Sequence, residues 1–153
     1  MVRLEIYQEE ERRHLLDLPC PTFDHTPFVS GVVPGRARVA VISTAGLHRR
    51  SDRPFQLGEA GYRVIPRNTD PAELVMSHVS TNFDRTGFQM DLNMVLPLDR
   101  LQELADRGVI DSVAEFHYSF MGATDPTPME AEARKLAGVL KQDRVTCALL
   151  VPV

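Results

Sequence analysis

Two segments of the chain are nearly continuous in apolar residues, and they constrain the fold more than any other feature. RVAVISTA at residues 38–45 and VTCALLV at residues 145–151 are also rich in β-branched side chains. Such segments are typical of strands covered on both faces, so Cys147 is expected in the core. Amphipathic helical patterns lie between them, at residues 99–107 and 127–142. The alternation predicts an α/β fold, with a three-layer, mostly parallel sheet and helices on both faces.

The length predicts a single domain over residues 1–153, long enough to bury a hydrophobic core. Residues 4–18 are predicted to form a helix, which two prolines end because proline lacks the amide donor. An extended arm, expected to lie over apolar surface, completes an N-terminal region at residues 1–37. The α/β core is expected to occupy residues 38–153.

Charge and composition argue against several classes of function. The formal net charge of −4 does not provide a basic face, so no nucleic-acid partner is expected. No apolar run is long enough to span a bilayer, and the N-terminus is too charged for a secretory signal. We therefore expect no membrane partner and a cytoplasmic location. Thiols stay reduced in that compartment, so Cys20 and Cys147 are expected to be unpaired.

The polar stretch MSHVSTNFDRTGFQMDLNMVLPL, residues 76–98, is the best candidate for a functional site. Polar groups at this density would each need a hydrogen-bonding partner in a packed core, whereas a loop that lines a pocket satisfies them easily. We therefore predict the end of a strand followed by a functional loop. Its candidate site residues are His78, Ser80, Asp84, Arg85, Asp91 and Asn93.

Two further histidines are expected at the same edge of the sheet as candidate catalytic residues. His48 follows the first strand after a run of small residues, which allow close backbone approach to a ligand. His117 lies in an alternating strand segment, residues 112–120, which also ends in small residues. Because the carboxyl ends of parallel strands meet at one edge, His48, His78 and His117 are predicted to gather there.

Each candidate also has a purely structural interpretation. His48 could be a loop histidine hydrogen-bonded to the backbone, and His117 a satisfied histidine of the sheet. Asp91 and Asn93 could simply cap a turn, as Asx side chains often do. Arg85 could be a solvated charge or a member of an ion pair.

Four segments, in order along the chain, resemble a known protein family. They are STAGLH (residues 43–48), SHVSTNFDRTGFQMDLNMVLPLDRL (77–101), HYSFMGA (117–123) and ALLVPV (148–153). In them the chain resembles the selenoprotein B family, which comprises the selenoprotein subunits of glycine, sarcosine and betaine reductases and of D-proline reductase. The resemblance implies an oxidoreductase that cleaves a C–N bond next to a carboxylate in a small amino-acid derivative.

The resemblance also implies a redox residue. In the family, the strand resembling LLVPV is followed by selenocysteine, or by cysteine in its place, and then by Pro and a second Cys. Selenocysteine is encoded by UGA, so our hypothesis is that the chain is a selenoprotein cut short at that codon after Val153, and inactive as it stands. The residues implied to assist are His78 and His117 as general acids or supports of the selenolate, Asp84 and Asp91 to orient them, and Arg85 for the substrate carboxylate.

Two other functions stay open on the sequence alone. The three histidines with Asp84 or Asp91 could bind a divalent metal such as zinc, although no short HxH or HxxxH spacing supports this. The chain could instead be a structural subunit that docks on a larger partner or forms a homo-oligomer. For the reductase, the expected partners are a small carboxylate-bearing substrate and a thiol reductant or partner subunit.

Overall fold

The computed structural model of the protein describes residues 4–18, 22, 24, 29–80 and 83–153. The prediction for Cys20 lies outside the described residues. No helix within these ranges is long and apolar enough to cross a membrane. In chain order the helices and strands are α1 (Glu9–Leu16), β1 (Arg38–Ser43), β2 (Leu47–Arg49), β3 (Arg63–Pro66), β4 (Leu74–Met76), α2 (Thr86–Met90), α3 (Leu98–Asp106), β5 (Ser112–Val113), β6 (Phe116–Ser119), α4 (Pro126–Gln142) and β7 (Cys147–Val151).

β1 is the central strand of the main sheet. It pairs in parallel with β7 on one side and with β5 and β6 on the other, while β3 pairs antiparallel with β6. β2 and β4 form a separate antiparallel ribbon. The predicted α/β class is confirmed. The sheet is mixed, because the predicted parallel arrangement holds only for the pairings of β1.

Two apolar clusters cover the opposite faces of β1. Val39 and Val41 belong to a cluster that includes β3, α3 and the residues just before α3. Ile42 packs in a second cluster with Tyr118 of β6 and Leu136 of α4. Val41 and Ile42 are adjacent in β1 and point to opposite faces, so the two clusters lie on different faces of that strand.

Among the described residues of the N-terminal region, only Ala37, directly before β1, belongs to either cluster. The helix predicted over residues 4–18 is a short turn, Leu4–Ile6, followed by α1, and neither contains a buried residue. Charged side chains occupy most of α1, EEERRHLL, so it has no broad apolar face to bury. The arm at residues 29–36 is exposed, and the expectation that it covers apolar surface is not met there.

β7 differs from its prediction as a buried strand. It pairs only with β1, and no strand among the described residues pairs with its outer edge. Cys147 is exposed, and Leu150 keeps 67% of its surface accessible. The predicted core position of Cys147 is therefore wrong. An apolar run indicates that other residues must pack on the strand, but it does not identify the element or the chain that provides them.

The single strand predicted over residues 112–120 is interrupted by a bulge. Val39 pairs with Val113 and Ile42 with Tyr118, so the two intervening residues of β1 lie opposite four residues, 114–117. His117 fills this gap. Its Nδ1 accepts a hydrogen bond from the main-chain N–H of Val41 at 3.0 Å, in the place of a carbonyl oxygen.

α3 and α4 end in the same motif with different residues at its key position. After each helix, an N–H two residues beyond the cap donates to a carbonyl of the last turn, as in a Schellman motif. The residue between has positive φ, which is 68° for Gly108 after α3 and 55° for Arg144 after α4. Glycine adopts this conformation without a steric penalty, whereas arginine does not.

Arg144→Gly is therefore expected to raise the free energy of unfolding by about 1 kcal/mol, because it relieves a left-handed conformation. No ion pair of Arg144 is found among the described residues, so little is lost with its side chain. Gly108→Ala is the matched control and is expected to lower the stability by a similar amount. Urea denaturation measures both, and an Arg144→Gly protein less stable than the wild type would contradict the expectation.

Candidate functional site

Three strand ends meet beside Thr44, the first residue after β1. The Thr44 N–H donates to the Val151 carbonyl at 3.1 Å, and the Thr44 carbonyl accepts from the Gly122 N–H at 2.8 Å. The Val153 N–H donates to the Thr44 hydroxyl oxygen, also at 2.8 Å. The segments that follow β1, β6 and β7 therefore lie side by side at the carboxyl edge of the sheet, where open α/β sheets bind their ligands.

His78 reaches the same edge from β4. The Ser77 N–H donates to the Gly46 carbonyl at 3.0 Å, which extends the ribbon of β2 and β4. Gly46 has φ of 66°, and a Cβ at this position would lie 3.1 Å from the main-chain nitrogen of His78. The small residues after β1 therefore allow the main chain of His78 to pack closely against Gly46. The sequence predicted that a ligand would approach at this position.

A cavity of about 230 Å³ lies at this edge and is lined by both His78 and Val153. We call it the His78 cavity. A second cavity, of about 190 Å³, shares Phe83 and Val153 with it. The remaining lining residues are Ser80, Gly122 and Ala123 in the His78 cavity, and Asp84, Gly87, Phe88, Met94, Val95 and Pro152 in the second.

The His78 ring is 6% exposed and packs on Phe83, with ring centroids 5.0 Å apart. Its Nδ1 accepts a hydrogen bond from the Ser80 N–H at 3.3 Å, so the proton of the neutral ring is on Nε2. Nε2 is buried and has no hydrogen-bond partner in the part of the chain that the structure describes. Burial, and then the charge of Arg85, lower the pKa of His78, so the ring is neutral near pH 7.

Arg85 is bound to the main chain of its own loop. Its Nη2 donates to the carbonyl oxygens of His78 at 2.5 Å and Ser80 at 3.2 Å. The guanidinium carbon lies 5.9 Å from the centroid of the Phe83 ring. Arg85 therefore holds the loop closed and places a positive charge near the His78 cavity.

Asp84 is exposed and lines the second cavity. Its Oδ1 accepts a hydrogen bond from the Thr86 N–H at 2.9 Å, at the start of α2, and this bond lowers the pKa of Asp84. No hydrogen bond joins Asp84 to His78 in the described residues. Its predicted role in orienting a histidine stays a prediction.

His48 is held inside the ribbon of β2 and β4. The alternation of the ribbon places His48 and Ser77 on one face and His78 on the other. The His48 ring is 3% exposed; its Nδ1 donates to the Arg49 carbonyl at 2.8 Å, and its Nε2 accepts from the Ser77 hydroxyl at 2.7 Å. Both ring nitrogens are thus satisfied within the ribbon, and His48 is absent from the lining of the His78 cavity.

His117 is completely buried between β1 and β6. Burial, and then the charge of Arg67, lower its pKa to about 4, so the ring carries no charge at neutral pH. Its Nδ1 is satisfied by Val41, while Nε2 has no hydrogen-bond partner among the described residues. Its location corresponds to the sheet histidine that the sequence left open as the structural alternative.

Asp91 and Asn93 lie away from the His78 cavity. The Asp91 carboxylate accepts from both the main-chain and side-chain nitrogens of Asn93 at 2.9 Å, and these bonds lower the pKa of Asp91. The Asn93 side-chain oxygen accepts from the Asp99 N–H at 3.1 Å. The two residues thus cap the turn before α3, and they line a different cavity, of about 300 Å³, that also includes Arg67.

The structure therefore brings together only part of the predicted set. His78 and Ser80 line one cavity, Arg85 binds their main chain, and Asp84 lines the adjoining cavity. Of the three histidines, only His78 lines the His78 cavity, and the predicted gathering is not observed. The catalytic and binding roles of all these residues stay predictions.

Two residues complete the site without having been candidates. Phe83 packs on the ring of His78, and an apolar side chain inside a polar stretch gives no sequence signal of such a contact. Thr44 binds the main chain of Val153. Its position directly after a predicted parallel strand, where the ligand edge begins, is a signal that could have singled it out. Among the described residues, no group of three or more His, Cys, Asp or Glu side chains is placed to hold a metal ion.

An α/β sheet with a histidine-lined cavity at the carboxyl ends of its parallel strands is typical of proteins that bind a ligand at that edge. Residues 10–152 match the family described as glycine/sarcosine/betaine reductase selenoprotein B, and the chain belongs to this family. It is 30% identical over 115 residues to the D-proline reductase subunit gamma of Acetoanaerobium sticklandii, over 73% of this chain and 47% of that protein. The chain thus spans about half the length of this curated relative. No solved structure matches it.

Proposed function

We propose that the chain forms the nucleophile pocket of a selenoprotein B-type reductase subunit, which cleaves a C–N bond in a small carboxylate-bearing amino-acid derivative. The observation that carries the proposal is that Val153 and His78 line one cavity. Membership of the family supports the class of reaction. The D-proline reductase relative supports a substrate whose nitrogen is bonded next to a carboxylate.

The resemblance of residues 148–153 to the family's strand supports a selenocysteine or cysteine directly after Val153. That residue would attack the carbon beside the carboxylate and displace the nitrogen, which leaves with the bonding electron pair and takes a proton. A dithiol would then supply the two electrons that release the product and restore the nucleophile. The cavity fits such a group. Its His78 Nε2–H is a buried donor without an acceptor among the described residues, and an anionic sulfur or selenium would satisfy it.

His78 and Arg85 would supply the positive charge that this chemistry requires. An anion beside the His78 ring raises its pKa, which opposes the lowering by burial and Arg85, so the imidazolium and the anion would stabilise each other. The Arg85 charge would attract the substrate carboxylate. We assign His48 and His117 to holding the ribbon and the sheet in place, since both lie outside the cavity lining.

The proposal includes a thiol reductant and a partner subunit, in the cytoplasm, where thiols stay reduced. The relative's name describes it as one subunit of a reductase, which supports a partner. The exposed outer edge of β7 is available for such a contact or for a second copy of the chain.

The gene gives the first test. We expect the triplet TGA directly after the Val153 codon, followed by an open frame that encodes Pro and Cys. Any other continuation would refute the proposed position of the nucleophile.

Turnover by the full-length subunit, assembled with its partners and a dithiol, gives the second test. His78→Ala is expected to lower turnover of the accepted substrate among glycine, sarcosine, betaine and D-proline by about a hundredfold, the usual contribution of a positioned proton donor. Asp106→Asn, which changes an exposed carboxylate of α3 that is not a candidate site residue, is the matched control and should leave turnover within a factor of two. The 153-residue polypeptide alone should show none. Full activity of His78→Ala would contradict the assignment.

A further inference from the structure

Thr44 makes a two-point contact with the main chain of Val153. Its hydroxyl oxygen accepts from the Val153 N–H at 2.8 Å and lies 3.3 Å from the Val153 carbonyl, to which the hydroxyl donates. A hydroxyl can do both at once, because it carries one donor and two acceptor lone pairs. The main-chain pairing of β1 with β7 already ends at Thr44 and Val151. The side chain of Thr44 thus continues the pairing two residues further than the backbone does.

Gly122 confines the same group from another side. Its N–H donates to the Thr44 carbonyl at 2.8 Å. A Cβ at Gly122 would lie 2.6 Å from the Val153 carbonyl oxygen and 2.8 Å from that of Thr44, which no side chain tolerates without a backbone shift. The Val153 carbonyl therefore has one position available, with Thr44 and Gly122 on either side.

A β-branched residue suits this position. Threonine has few χ1 rotamers open to it, so its hydroxyl is held in one direction with little loss of entropy. Serine keeps the hydroxyl with more freedom, and valine keeps the shape without the hydrogen bonds. The two replacements therefore separate the contribution of the hydrogen bonds from that of packing.

We propose that Thr44 is a positioning residue, which fixes the direction of the main chain at Val153 so that the next residue of the full-length chain enters the His78 cavity. The inference rests on the proposed function for the identity of that next residue. The contact between Thr44 and Val153, which we call the holding contact, does not depend on the proposed function. The experiments below test the holding contact and the positioning of the next residue separately.

Hydrogen exchange tests the holding contact on the 153-residue protein. Thr44→Val is expected to lower the protection of the Val153 amide about tenfold, the effect of losing one good hydrogen bond, and Thr44→Ser should stay close to the wild type. The Val41 amide, bound to His117, is the internal control and should be unchanged in both. Unchanged exchange at Val153 in Thr44→Val would overturn the inference.

Alkylation by iodoacetamide as a function of pH tests the positioning on the full-length chain with cysteine directly after Val153. In the wild type we expect a midpoint below that of a free thiol, about 8.5. Thr44→Val should move the midpoint towards that value and slow alkylation at pH 7 about tenfold, and Thr44→Ser should restore both. A purely structural role would lower the melting temperature and leave the midpoint in place, which would overturn the inference.

The two measurements distinguish the two proposals. A wild-type thiol with an ordinary midpoint, together with loss of Val153 protection in Thr44→Val, would count against the proposed function and support the contact made by Thr44. A shifted midpoint that does not respond to Thr44→Val would support the nucleophile pocket and overturn the role of Thr44.

Discussion

His117→Ala is expected to lower the free energy of unfolding at pH 7 by about 3 kcal/mol. The change removes the acceptor for the Val41 N–H, which is completely buried and would be left without a partner. It also leaves a hole where the imidazole fills the bulge between β5 and β6. Urea denaturation, with the slope compared between variants, measures the change.

His117→Asn is the matched control for that experiment. An asparagine oxygen can take the place of Nδ1 and accept from Val41, so we expect a loss of about 1 kcal/mol. If alanine and asparagine were equally destabilising, the hydrogen bond to Val41 would not be the source of the effect.

Acid is expected to destabilise the wild-type protein through His117 by about 3 kcal/mol between pH 7 and pH 4. The pKa of His117 in the folded protein is lowered to about 4, from 6.5 for a free imidazole. Above pH 6.5 the ring is neutral in both states, and the full stability is present. As the pH falls below 6.5, His117 becomes protonated in the unfolded chain, whereas in the folded protein it stays neutral down to about pH 4. The free energy of unfolding therefore decreases between pH 6.5 and pH 4.

The difference between the wild type and His117→Asn isolates this effect. His78 also has a lowered pKa and acts in the same direction, and the lowered pKa values of Asp84 and Asp91 weaken the fold at lower pH. These contributions are common to both proteins and cancel in the subtraction. A difference in the free energy of unfolding between the wild type and His117→Asn that stays constant from pH 7 to pH 4 would show that the folded protein accommodates a charged His117.

The α/β class and β1 were predictable because apolar, β-branched runs that alternate with amphipathic helical patterns are typical of an α/β sheet. The environment of His117 was not predictable. Alternation assumes a regular strand, whereas two residues of β1 lie opposite four at the bulge, so the ring enters the hydrogen-bond ladder. The exposed edge at Cys147 was missed for a related reason, since composition cannot identify which element covers a strand.

The sequence identified the region that carries the candidate site, but it did not identify which of its residues the fold brings together. The polar density of residues 76–98 indicated the loop that carries His78. Within that loop, Asp91 and Asn93 satisfy each other locally, and sequence alone does not distinguish a carboxylate that caps a turn from one that binds a ligand. The contacts that shape the cavity join Thr44, Gly122 and Val153, which are distant in sequence and meet only through the sheet.

The open side of β7 has a thermodynamic consequence for assembly. Val153 continues this strand into the His78 cavity, so any extended segment that docks along β7 would lie one strand away from the cavity wall. If such docking changed the affinity of the cavity for its ligand, the ligand would change the affinity for the docked segment by the same factor. Docking along β7 and ligand binding in the cavity would then be reciprocally coupled through the five residues of that strand.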